Sequence, residues 1–230
     1  MPNYYPVMLD VRGKVAVVVG GGKLACEKVA GLVACGAQVH VINPPFCDAL
    51  LLLADQQQIT LSHKAYQTGD LAGAFLVIAA TSDQQLAEAV WNEAQERGQL
   101  INVVDMPAYC SFILPSILRR GQLTIAVSTE GASPSLAKRI RQQLEKLFPA
   151  AYGPYLQLAR AARARLRASN IPYEQRDHFF GEYFASEVLA RLEAGDITTA
   201  AAITQALLQL YRVEAPAAAL EEEVDSNGEP

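Results

Sequence analysis

The chain has 230 residues, 51% of them hydrophobic and 19% charged, with a net charge of -5. This is the composition of a globular protein with a substantial core, long enough for one large domain or two smaller ones. The acidic balance argues against nucleic-acid binding as its main task, and no apolar run approaches the roughly 18 residues of a membrane span.

The opening Met1-Pro2-Asn3-Tyr4-Tyr5 lacks a basic stretch followed by an apolar one, so no secretory leader and a cytoplasmic location are expected. Residues 14–19 (KVAVVV) form a β-branched run bounded by glycines, the pattern of a strand buried on both faces of a parallel sheet. Residues 23–35 place Leu24, Val29, Leu32 and Val33 at helical spacing, and Gly36 follows as the stop. Residues 38–42 (QVHVI) read as a second strand, ended by Pro44 and Pro45. Residues 49–54 are an apolar run of element size, with no element assigned to it.

Further strands are expected at 75–79 (FLVIA), 100–104 (LINVV) and 123–127 (LTIAV), with a helix at 83–97. Strands alternating with helices predict a Rossmann-type α/β domain with a parallel sheet, assigned to 1–115. Residues 116–150 are read as a dimerisation or linking segment. Residues 151–212 show helical periodicity without a convincing strand, a small all-α region. Residues 213–230, rich in Ala, Glu and Pro, are expected to be a disordered tail.

Gly20-Gly21-Gly22-Lys23-Leu24-Ala25 reads G-x-G-x-x-A between a strand and a helix. In this reading Gly20 permits the tight turn, Gly22 lets a pyrophosphate approach the backbone, and Ala25 allows close helix–strand packing. The helix N-terminus offers N–H groups and partial positive charge to phosphates. A glycine-rich turn that binds nothing is the competing reading. Asn43 stands where an acidic residue ends the second strand in many NAD sites, and an amide can still bond a ribose hydroxyl. No Arg or Lys occurs in Pro44-Pro45-Phe46, so NAD is expected rather than NADP.

Asn102-Val103-Val104-Asp105-Met106-Pro107 puts a carboxylate at the C-terminal end of a buried strand, the edge where open α/β sheets bind ligands. Partial desolvation there would raise its pKa and suit a general base or acid; an aspartate merely capping a turn is the alternative. Cys26, Cys35, Cys47 and Cys110 form no C-x-x-C pair, and His40, His63 and His178 are isolated, so no stable metal site is expected.

The blocks VAVVVGGGKLACEK (15–28), VIAAT (77–81), NVVDMP (102–107), SFILPS (111–116) and AVSTEGASPSLA (126–137) occur in one order and spacing. Together they resemble the precorrin-2 dehydrogenase/sirohydrochlorin ferrochelatase family, the N-terminal module of siroheme synthases. The resemblance is specific over 5–148 and weaker up to about 210. It implies NAD held by Gly20, Gly21, Gly22 and the backbone of Lys23 and Leu24, with Asn43, Pro44, Pro45 and Thr81 as further cofactor contacts. It implies Asp105 as the essential aspartate, a homodimer with helical C-terminal parts at the interface, and precorrin-2 and sirohydrochlorin as partners. Some members also insert iron or cobalt into sirohydrochlorin, which would make Fe2+ or Co2+ a substrate.

A substrate with many carboxylates needs cations. Arg119, Arg120, Lys138, Arg139, Arg141 and the row Arg160, Arg163, Arg167 are the candidates. Arg119 and Lys138, with the hydroxyls of Ser128, Thr129 and Ser133, form the expected substrate set. The chain departs from many members at Glu27 and at Thr129-Glu130, where a serine modified in some members is replaced by Thr129. No methyltransferase module is recognised, so precorrin-2 is expected to be supplied from elsewhere. Two rival readings stand beside this one: a chelatase with minor dehydrogenase activity, and a non-catalytic NAD- or tetrapyrrole-binding protein.

Overall fold

Val15–Val19 (VAVVV) forms β1 at the centre of a five-stranded parallel sheet. Its side chains alternate between two cores. Ala16 and Val18 join Ala25, Val29, Val39 and Leu50 on one face. Val17 and Val19 join Leu71, Ala87, Val90, Ala94 and Ile101 on the other. A strand buried on both faces has no polar side to show, hence the unbroken apolar run. Each fully buried Val contributes about 1.5–3 kcal/mol relative to exposure. The computed structural model describes residues 4–214 and 217–225, and the chain divides into two units between Leu114 and Pro115.

In the first unit, α1 (Lys23–Ala34) leads to β2 (Gln38–Ile42), α2 (Asp48–Asp55) and β3 (Ile59–Ser62). Then β4 (Leu76–Ala79), α3 (Gln84–Glu96) and β5 (Leu100–Val103) complete the order β3-β2-β1-β4-β5. The chain runs outward from β1 to β3 and then returns to place β4 on the other side of β1. That reversal is the point where open α/β sheets bind ligands, beyond the carboxyl ends of the strands. The α2–β3 pair escapes the sequence pattern, in which 49–54 is only an apolar run. β3 is a four-residue edge strand, too short for its alternation to register.

The second unit opens with β6 (Ser116–Arg120) and β7 (Leu123–Val127), an antiparallel hairpin in a sheet of its own. The expectation that 123–127 continues the parallel series is therefore corrected. The two-residue turn Gly121-Gln122 leaves no room for the crossover helix that a parallel neighbour needs. Gly121 has φ +55, and a Cβ there would come within 3.1 Å of the Gly153 Cα, so the turn approaches α5 backbone to backbone. α4 (Pro134–Leu147) packs on the hairpin.

Beyond it come α5 (Tyr152–Ala168), α6 (Tyr173–Ala185), α7 (Val188–Glu193), α8 (Ile197–Leu210) and α9 (Ala217–Asp225). Leu158, Leu166, Phe179, Tyr183, Val188, Leu192 and Leu208 fill their shared core. The expected disordered tail is corrected over 217–225. Leu220 and Val224, one turn apart, are buried in that core, and Glu223 pairs with Arg165 at 3.0 Å. Two large apolar residues in nine are a weak periodic signal, and the Glu221-Glu222-Glu223 run masked it. Residues 215–216 and 226–230 of the same expectation lie outside the described residues.

Candidate cofactor and active site

Four chain exits meet at the carboxyl edge of the first unit's sheet: Gly20 after β1, Asn43 after β2, Ala80-Thr81 after β4 and Asp105 after β5. Gly20 N–H donates to Ile42 O at 2.8 Å, Ala80 N–H to Val19 O at 2.8 Å, and Val104 N–H to Ala79 O at 3.0 Å. The register of the sheet therefore fixes these exits beside one another.

The three loop glycines do three different jobs. Gly20 sits at φ +122, and a Cβ on it would lie 2.2 Å from the Ala80 carbonyl oxygen. Gly21 is also required to be bare: its Cβ would meet the Pro45 carbonyl oxygen at 2.2 Å and the Phe46 ring at 2.6 Å. The sequence assigns no packing role to Gly21, because the contact joins loops 24 residues apart. Its carbonyl also accepts the Cys47 N–H at 2.8 Å, locking the loop after β2 onto the glycine turn. Gly22 is exposed, and a Cβ there would meet nothing within 4 Å. Ala25 is fully buried, as close packing of α1 requires.

α1 begins at Lys23 with no side chain capping it and no acidic residue in its first turn. First-turn N–H groups thus lack a side-chain acceptor beside the open side of Gly22. That pairing of space and positive potential fits a dinucleotide pyrophosphate. Lys23 and Leu24 are exposed there, and Pro44 and Pro45 are exposed on the neighbouring loop. Thr81 is half-buried; its Oγ1 accepts the Asp83 N–H at 3.1 Å, which leaves its own O–H to donate.

Asn43 has φ +80, a conformation Asn tolerates better than most side chains. Its N–H donates to Lys64 O at 3.2 Å, and its Oδ1 accepts the Tyr66 N–H at 3.3 Å. Tyr66 in turn donates its O–H to Glu93 at 2.5 Å. Glu93 is 3% exposed and also accepts from Gly69 N–H, Leu71 N–H and the Arg97 side chain. Burial pushes its carboxyl up, but the hydrogen bonds from Tyr66, Gly69, Arg97 and Leu71 together outweigh burial and hold it below the usual range. Burial and then the Glu93 carboxylate push the Tyr66 phenol well above its ordinary value.

Asp105 sits at φ +61 and is exposed. The expected partial desolvation is corrected: the chain itself does not bury this carboxylate, because the turn that carries it projects beyond the sheet edge. The turn is firmly held. Met106 N–H donates to Val103 O at 3.2 Å, and a 3-10 turn follows at Pro107–Tyr109. The Tyr109 ring packs on Trp91 of α3 with centroids 5.0 Å apart, and its O–H reaches Glu88 at 3.3 Å. Cys110 Sγ accepts the Val103 N–H and lies 3.3 Å from the Val103 carbonyl oxygen. Burial pushes the Cys110 thiol up, which favours the protonated form that donates to that carbonyl. No sequence motif singles out Tyr109 or Cys110 for this work.

The expected substrate residues all belong to the second unit. Arg119 is exposed on β6. Ser128 Oγ accepts the Glu130 N–H at 3.0 Å, and Thr129 Oγ1 accepts the Ser133 N–H at 3.0 Å. Ser133 Oγ caps α4 through the Leu136 N–H at 3.3 Å. These hydroxyls shape the loop that carries Glu130 at φ +51; Ser128 and Thr129 each retain a proton to donate, while Ser133 Oγ also lies 3.2 Å from Ser135 Oγ. Lys138 and Arg139 are exposed on α4, whereas Arg141 is paired with Glu145 and Arg120 donates to the Phe148 carbonyl at 2.9 Å. Arg163 lies over the Phe180 ring, so the row Arg160, Arg163, Arg167 is partly engaged. Among the described residues no group of three or more His, Cys, Asp or Glu is placed to hold a metal ion, and no helix is long and apolar enough to cross a membrane.

The first unit is thus a Rossmann-type nucleotide-binding domain, with an open glycine loop and an aspartate at one sheet edge. Residues 7–116 match a family model described as NAD(P)-binding, and residues 120–147 match one described as sirohaem biosynthesis protein central. The ligand class of the loop is a nicotinamide dinucleotide. A siroheme synthase of Nitrosococcus oceani is 39% identical over 207 residues, 90% of this chain and 44% of that protein. One of Pseudomonas aeruginosa is 38% identical over 193 residues, 84% of this chain and 42% of that protein. The solved structure of SirC, a precorrin-2 dehydrogenase, superposes with a TM-score of 0.75 at 26% identity, covering 91% of this chain and 99% of that one. Over most of its length the chain is thus similar to siroheme synthases and to SirC, and it spans less than half the length of the curated siroheme synthases it matches.

Proposed function

We propose that this chain oxidises precorrin-2 to sirohydrochlorin with NAD as the acceptor. The observation that carries the reading is the meeting, at one sheet edge, of the open side of Gly22 and the exposed, firmly held Asp105. The oxidation removes a hydride and a proton from the macrocycle. NAD supplies the hydride acceptor when bound. Asp105 accepts the proton, and desolvation of its carboxylate comes from the bound macrocycle rather than from the chain.

Gly20, Gly21 and Gly22 hold the backbone against the pyrophosphate, with Lys23 and Leu24 contributing N–H groups. Asn43, Pro44, Pro45 and Thr81 line the neighbouring loops. NAD is favoured over NADP because the loop after Asn43 has no cation and Lys64, whose carbonyl meets Asn43, is paired with Asp70 at 2.5 Å. Arg119 and Lys138 meet substrate carboxylates, with Ser128, Thr129 and Ser133 donating hydroxyl protons. The protein acts in the cytoplasm as a homodimer.

The test is an absorbance assay of precorrin-2 oxidation with NAD, run with and without Fe2+ or Co2+. NAD-dependent conversion without added metal is expected. Gly22→Asp, which fills open space with a negative charge, is expected to fold and to lose NAD binding. A folded Gly22→Asp protein with unchanged NAD affinity would remove the glycine loop from the account.

A further inference from the structure

Glu93 is a carboxylate on the apolar face of α3, in line with Ala87, Val90 and Ala94. Three of its four hydrogen bonds tie α3 to the segment after β3, the fourth coming from Arg97 at the end of α3, and that segment holds Asn43 at the cofactor edge twice: the Lys64 carbonyl accepts the Asn43 N–H, and the Tyr66 N–H donates to Asn43 Oδ1. A free Asn amide can present either its oxygen or its NH2 group to a ligand. In this fold the oxygen accepts the Tyr66 N–H, which orients the amide and leaves its NH2 group to donate to a ligand. We infer that Glu93 and Tyr66 are positioning residues for the cofactor, fixing the Asn43 amide so that its NH2 group meets an oxygen of the adenosine ribose.

The inference rests on the reading that the glycine loop binds NAD, since Asn43 matters only beside an occupied loop. It adds that affinity for the adenosine half depends on a bond between the half-buried Tyr66 phenol and the buried Glu93 carboxylate, outside the loop. An unpartnered carboxylate at the Glu93 position would be costly, so the network is complete or the helix face is disrupted. Tyr66→Phe removes one hydrogen bond and leaves Glu93 its three others, which keeps the fold testable. Asn43→Gly removes the amide without straining a positive φ.

The experiment is a double-mutant cycle read by calorimetry with two probes: ADP-ribose, which contains the adenosine half, and nicotinamide mononucleotide, which lacks it. Tyr66→Phe and Asn43→Gly are each expected to raise the ADP-ribose Kd about three- to tenfold, the scale of one hydrogen bond. The double variant is expected to be no worse than Asn43→Gly alone, because both act through one amide. Nicotinamide mononucleotide affinity stays unchanged in all three. Additive losses, or a Tyr66→Phe protein less stable but equal to wild type in ADP-ribose affinity, would overturn the inference and leave the cofactor reading standing. A wild-type protein that binds neither ADP-ribose nor NAD would overturn the cofactor reading itself.

Discussion

Gly21 and Gly22 are neighbours with opposite tolerances. At Gly21 a methyl group would collide with a backbone oxygen at 2.2 Å, which cannot rotate away. Overpacking of this kind costs about 1–3 kcal/mol, so Gly21→Ala is expected to lower Tm by several degrees. Gly22→Ala adds its methyl to open space at an ordinary extended φ of −82° and should melt within about a degree of wild type. Thermal unfolding by circular dichroism separates the two; equal melting temperatures would contradict the close approach of the Pro45 carbonyl to Gly21. At this scale the sequence was informative about Gly20, Gly22 and Ala25, whose roles are local to one turn. It was silent on the packing of Gly21 and on Tyr66 and Glu93, whose long-range partners lie 22 to 27 residues away with no spacing rule to connect them. One hint was present: a glutamate at an inward position of an amphipathic helix.

At the scale of elements, β-branched runs and glycine stops were enough to place β1, α1, β2, β4, α3 and β5, since each buries a periodic face. What escaped were short elements stabilised by neighbours rather than by their own pattern: the edge strand β3, the charged strand β6 and the terminal helix α9. α9 gives a direct check. Leu220 is fully buried, and replacing it with Ala is expected to cost about 2–5 kcal/mol, shifting the denaturation midpoint clearly. Glu223→Gln should cost less than about 1 kcal/mol, because the Arg165 pair is partly exposed. A neutral Leu220→Ala would return 217–225 to the status of an unpacked tail.

At the scale of the molecule, the homodimer implied by the resemblance has a second argument in the apolar residues Leu156, Leu166, Phe179, Tyr183, Phe184, Leu189 and Leu192, more than a lone helical appendage would be expected to bury. The second unit buries four of these in its own core and leaves Phe184 57% exposed. The apolar residues that remain uncovered around the hairpin are Ile117, Leu136 and Leu147. We therefore place the proposed dimer contact on β6 and α4, and expect light scattering at micromolar concentration to give twice the 24.8 kDa chain mass; a monomer would remove the dimer. The central claim joins the glycine loop to Asp105 in one oxidation. Its most direct test is the rate of precorrin-2 oxidation by folded Asp105→Asn under saturating NAD. Asn keeps the size of the side chain and accommodates the positive φ, but takes no proton. General acid–base contributions run to about 10²–10⁴-fold, so the rate is expected to fall on the order of a hundredfold or more with NAD affinity little changed. A rate within a few-fold of wild type would contradict the account and leave Asp105 as a turn residue.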